Sequence, residues 1–98
     1  MTEKLWLPYD NGKAVGQKSS DGGTVIVSEV AGDEARITLY RGSYMAPYTI
    51  ICGLDKGFHT AFADTEEEAN EKYAAMKADI MAFLLGNQDA IDDFTDRY

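Results

Sequence analysis

From Thr24 to Ala63 the chain runs through four short apolar stretches separated by turn residues, and from Asp64 the apolar spacing changes to threes and fours. Thr24–Val30 is rich in β-branched residues and reads as a first strand. Gly32-Asp33 supplies a turn, after which Ala35-Arg36-Ile37-Thr38-Leu39-Tyr40 alternates apolar with polar, directing Ala35, Ile37 and Leu39 toward a core. Tyr48–Leu54 forms a third strand with Ile50 and Cys52 on one face and Thr49 and Ile51 on the other. Beyond the Asp55-Lys56-Gly57 turn, Phe58–Ala63 forms a fourth, with Phe58, Thr60 and Phe62 on one side and His59, Ala61 and Ala63 on the other. Short connections make an antiparallel meander the simplest pairing.

Asp64-Thr65-Glu66-Glu67-Glu68 is the sharpest local signal. Thr65 with Glu68 fits a capping box, and the added carboxylates suit the positive end of a helix dipole. The helix that follows carries a stripe of Ala69, Tyr73, Met76, Ile80, Phe83 and Leu84, until Gly86-Asn87 offers a stop. The expected fold is therefore α+β and two-layered: an antiparallel four-stranded meander over about 24–63, packed on one long helix over about 65–85.

Both ends of the chain add to this core. Leu5-Trp6-Leu7-Pro8-Tyr9 reads as an extra N-terminal edge strand, since Pro8 cannot donate a ladder hydrogen bond. Asn11-Gly12 favours a tight turn, and Gly16–Gly23 reads as a mobile loop. After Gly86, the residues Ala90, Ile91, Phe94 and Tyr98 could share one face of a short C-terminal helix, which must dock to persist. The single domain thus divides into 1–23 (edge strand or hairpin plus loop), 24–86 (meander and helix) and 87–98 (acidic helix or tail). Strands three and four are apolar on both faces while one helix covers one face, so the tail or a second subunit is expected to cover the other.

Composition sets the class: 98 residues, 45% hydrophobic and 27% charged, match one ordinary globular domain. No apolar run reaches the roughly 20 residues of a membrane span, and Met1-Thr-Glu-Lys lacks the features of a secretory signal, so a cytoplasmic protein without membrane association is expected. Residues 1–63 hold seven acids and six bases, whereas 64–98 hold ten acids and three bases. Such a C-terminal segment repels a phosphate backbone, which argues against nucleic acid, and steers a basic protein toward itself.

Candidate chemistry is sparse. Gly12–Ser19 lacks the glycine-lysine adjacency and the following helix of a phosphate-binding loop. Asp89, Asp92, Asp93 and Asp96 stand at helical spacings and do not follow a calcium loop. Cys52 is the single thiol and sits among Ile50, Ile51 and Leu54, where an inert core thiol is expected. His59 is the single imidazole, so any histidine mechanism must use it. No catalytic residue, cofactor or metal site is assigned. The segment Tyr40–Tyr48 is the most suggestive patch: Tyr40, Arg41, Tyr44, Met45 and Tyr48 bring together residue types enriched at binding hot spots.

Three strands leading into an alanine-bearing helix resemble the double-stranded RNA-binding domain. That family places basic residues at the start of this helix, where this chain has Asp64, Glu66, Glu67 and Glu68. Gly57-Phe-His-Thr60, Asp64-Thr65 and Glu68-Ala69 are also similar to the N-terminal half of HicB-type antitoxins, a likeness that implies topology alone. The function expected from these readings is a non-catalytic protein-binding module of inhibitor, immunity or accessory type, with a protein partner, basic in character, as its ligand. A self-associating structural domain that forms a homodimer, and a small enzyme using His59, are the alternatives.

Overall fold

The computed structural model describes residues 5–19, 22–44, 46–54, 57–91, 94 and 98. Met45, Asp92, Asp93 and Asp96 lie outside the described residues. Strands β1 (Leu7–Pro8), β2 (Thr24–Ala31), β3 (Ala35–Arg41), β4 (Tyr48–Leu54) and β5 (Gly57–Ala63) precede helix α1 (Glu66–Leu84). They form one antiparallel sheet in the order β1-β2-β3-β4-β5, so an α+β fold of sheet and helix is present. The four strands expected over 24–63 are joined by a fifth at the N-terminal edge, two residues long. Leu7 and Pro8 pair with Val30 and Glu29 at the edge of the sheet, the position to which proline is confined.

The helix begins where the cap demands it. Thr65 has extended backbone geometry, and its hydroxyl accepts from the Glu68 N–H at 3.1 Å. The Glu68 carboxylate pairs forward with Lys72 at 3.1 Å, a one-turn spacing that also suits the dipole. At the other end, Gly86 adopts a φ of 112°, its N–H donates to the Phe83 carbonyl, and the Asn87 N–H donates to that of Ala82. This paired arrangement satisfies two otherwise orphaned carbonyls and needs the left-handed backbone that glycine supplies without strain.

Ala69, Tyr73, Met76 and Ile80 are the buried helix positions, and they seat on Ile37, Leu39, Ile50, Cys52, Ala61 and Ala63. Phe83 is only half-buried, so the stripe weakens in the last turn. Where a short C-terminal helix is expected, the described residues hold a four-residue 3-10 turn at Gln88–Ile91 and one backbone bond from the Tyr98 N–H to the Phe94 carbonyl. The tail is held by side chains: Phe94 is buried, stands edge-on to His59 at 5.7 Å and to Tyr98 at 4.8 Å, and the Tyr98 hydroxyl donates to Asp79 at 2.5 Å.

The N-terminal segment is tied down by backbone bonds. Asn11 and Gly12 form the expected tight turn, with Lys13 N–H donating to Asp10 O at 3.0 Å and both turn residues at positive φ. Gly16 and Gln17 then exchange bonds with Val25, and Lys18 bridges Thr24, which extends the pairing along the start of β2.

Candidate interaction surface

Alternation along each strand sorts the sheet into two faces. Ala31, Ala35, Ile37, Leu39, Ile50, Cys52, Ala61 and Ala63 form the face that α1 covers. On β5 the small residues Ala61 and Ala63 point inward, into the same buried cluster as Ala69 of α1. The aromatic side chains of that strand consequently face out. Phe58 is 81% exposed and Phe62 41% exposed.

Register assembles the outward side chains into rows. Leu7, Val30, Arg36, Gly53 and Phe58 form one row across all five strands; Ser28, Thr38, Ile51 and Thr60 form the next; Tyr40, Thr49 and Phe62 form a third. The half near β2 and β3 is polar and internally satisfied. Ser28 and Thr38 share a hydrogen bond of 2.8 Å, Arg36 Nε donates to Ser28 at 3.3 Å, and the Arg36 guanidinium lies 3.7 Å above the Tyr9 ring. The half near β4 and β5 carries Ile51 between Phe58 and Phe62, beside Thr49 and Thr60. No carboxylate occurs in these three rows. The tail expected as a cover packs on the opposite, helix-bearing side through Phe94 and Tyr98; on this face Ser28, Thr38 and Thr49 are buried and Tyr9 stacks on Arg36, while Phe58 and Phe62 stay exposed among the described residues.

The tyrosine-rich segment divides between the two sides. Tyr40 lies on the open face, whereas Tyr48 packs against the core and Arg41, its register partner, shares its side. Tyr44 is 86% exposed at the hairpin tip, with its ring against Gly22. Ser43 ties the hairpin to the open face, bonding Thr49 at 2.9 Å and donating to the Ala46 carbonyl at 3.1 Å. Thr24, Arg41 and Tyr48 are shared by two shallow clefts of about 300 and 450 Å³ at this end of the sheet, the first also lined by Glu66.

The residues with chemical potential lie on the covered side. Cys52 and His59 are register partners, and burial raises the Cys52 thiol above its usual range, partly countered by backbone hydrogen bonds, which keeps it a poor nucleophile. His59 packs against Phe94, and its Nε2 is buried without a hydrogen-bond partner among the described residues. Neither residue lines the clefts just described. A polar cluster absent from the sequence reading crosses the same interface: the Tyr73 hydroxyl donates to Glu29 at 2.7 Å, and Lys77 Nζ lies 2.8 Å from the same carboxylate. Burial, then the bond to Glu29 and its charge, push the Tyr73 phenol far above its ordinary range. Trp6 Nε1 donates to the Lys77 carbonyl at 3.3 Å, so the cluster fastens the N-terminal segment to the helix. These side chains are committed to holding layers together.

Phe58 and Phe62 were legible as one side of a strand, but alternation alone does not say which side turns inward. The signal that could have decided it is Ala69 in the helix stripe, which matches the alanine side of β5. Among known proteins, no family model, no curated protein and no solved structure matches the chain.

Proposed function

We propose that the chain is a non-catalytic protein-binding module of inhibitor, immunity or accessory type, acting in the cytoplasm through the open face of its sheet. The observation that carries this reading is the outward pair Phe58 and Phe62 flanking Ile51, on a face without carboxylates in a chain of net charge −8. Interface centres are depleted in charge and enriched in aromatic side chains, and a contiguous exposed apolar patch marks contact surfaces. Tyr40 extends the patch, and exposed Tyr44 borders it at the hairpin.

Affinity capture tests the reading. Immobilised parent chain is compared with the Phe58→Asp/Phe62→Asp double variant and with Tyr44→Ala. The double variant is expected to lose what the parent retains while melting near the parent temperature, and Tyr44→Ala to weaken retention. Undiminished retention by the double variant would reject the face.

A further inference from the structure

We propose that the larger cleft at the hairpin end of the sheet is a binding site for a phosphate monoester, held between Lys18 and Arg41. The site is separate from the open face and does not rest on the reading of that face. Its volume of about 450 Å³ is that of a small-ligand site, and Lys18, Thr24, Arg41 and Tyr48 line it beside Gly42 and Pro47.

Strand pairing sets the four side chains in one row. Lys18 bridges Thr24, Thr24 is the register partner of Arg41, and Arg41 is that of Tyr48. Register partners project to one side of a sheet, here the helix-bearing side on which Tyr48 packs against the core. Lys18 and Arg41 therefore flank Thr24, with their backbones roughly 10 Å apart at about 4.8 Å per strand. That gap suits a tetrahedral dianion. Two long cationic side chains can close on it from either side, the Thr24 hydroxyl lies between them as a donor, and the Tyr48 ring borders the group that the phosphate carries.

Charge sets the cleft apart from the rest of an acidic chain. Arg36 is committed to Ser28 and Tyr9, Lys72 to Glu68 and Lys77 to Glu29, whereas Lys18 and Arg41 make no ion pair among the described residues. No described residue lining the cleft is acidic, although the chain holds 17 acids against nine bases. Glu66 lines the neighbouring cleft and forms no ion pair with Arg41 among the described residues. Two cations side by side repel each other, and a dianion between them satisfies both where a carboxylate satisfies one, which selects a phosphate monoester. Salt screens the more distant acids beyond about 8 Å. The cleft is shallow and both cations are exposed, so the affinity is weak, on the order of 1 mM.

NMR shifts of the full isotope-labelled chain, followed through its backbone amides and Arg41 Nε during titration with phenyl phosphate at low ionic strength, test the proposal. Saturable shifts are expected at Gly22, Thr24, Arg41 and Gly42. Lys18→Ala and Arg41→Ala are each expected to raise the dissociation constant about threefold or more, whereas Lys13→Ala, which removes the same charge from an exposed position outside the cleft, leaves it unchanged. Equal weakening by Lys13→Ala, or shifts that never saturate, would overturn the site. Phenylacetate, a monoanion of similar shape, is expected to bind about threefold or more weakly, and parity overturns the choice of phosphate. A phosphoserine tripeptide compared with phenyl phosphate identifies the source: tighter peptide binding assigns the phosphate to a modified protein, tighter phenyl phosphate to a small molecule, and failure of both overturns the proposal.

Discussion

The two faces of this sheet are written in the same alternation, yet one is an interior and the other a surface. Ile50 is fully buried beneath α1, while its neighbour Ile51 is only partly covered, and the same contrast separates Ala61 from Phe62. What differs is the matching element. The stripe Ala69, Tyr73, Met76 and Ile80 fits one face side chain by side chain, whereas the other face meets no second layer among the described residues. Apolar alternation therefore marks what can be buried, and the partner decides what is.

The largest effect that would sharpen the contrast comes from removing matched methylenes on adjacent residues. Ile50→Ala is expected to cost about 2–5 kcal/mol, because the cavity beneath a rigid helix cannot collapse, while Ile51→Ala costs under about 1 kcal/mol. Urea unfolding of the dilute chain measures both. Equal losses would abolish the distinction between the faces.

A smaller effect is expected at Glu29. Glu29→Ala leaves the Tyr73 hydroxyl and the Lys77 ammonium without their shared acceptor, and should cost about 1–3 kcal/mol, moderated by the partial exposure of the pair. Glu29→Gln should recover part of that loss by keeping an acceptor for the phenol. Thr65→Ala should cost about 1 kcal/mol through the lost bond to the Glu68 N–H, with unfolding again the measure.

The weakest of these effects is a pH dependence. Tyr73 and Cys52 both have folded-state affinities for their protons raised mainly by burial, so each contributes stability that is fully present below its unfolded pKa and is lost as pH rises through the folded one. Melting temperature should therefore be flat with respect to these groups below about pH 8.5 and fall above it, through the unfolded values of about 8.5 for Cys and 10 for Tyr. Tyr73→Phe should flatten the part above about pH 10. An unchanged alkaline slope in that variant would remove Tyr73 from the covered interface.

Local rules made much of this architecture readable. Thr65 and Glu68 announce the helix start, Gly86-Asn87 its end, and β-branched alternation the strands, because each is settled within a few residues. Features that depend on distant partners were not readable. Glu29 occupies an inward position because Tyr73 and Lys77 meet it from 44 and 48 residues away. Phe58 and Phe62 face out on β5, while Ala61 and Ala63 share the buried cluster with Ala69 of the distant helix. Phe94 anchors the tail beside His59, on the helix-bearing side of the sheet. Of the tyrosine-rich segment, the composition was legible but its partition was not: strand parity sends Tyr40 to one side and Arg41 with Tyr48 to the other.

The most direct test compares thiols on the two faces. Cys52, 2% exposed, serves as the internal reference on the covered face, and Phe58→Cys introduces a second thiol on the open one. Under native conditions the account predicts that Cys52 stays unreactive toward a thiol reagent, and that the introduced thiol reacts rapidly in the free chain but is protected when a captured partner fills the face. Rapid modification of Cys52, or a reactivity at position 58 that never changes with occupancy, would contradict it.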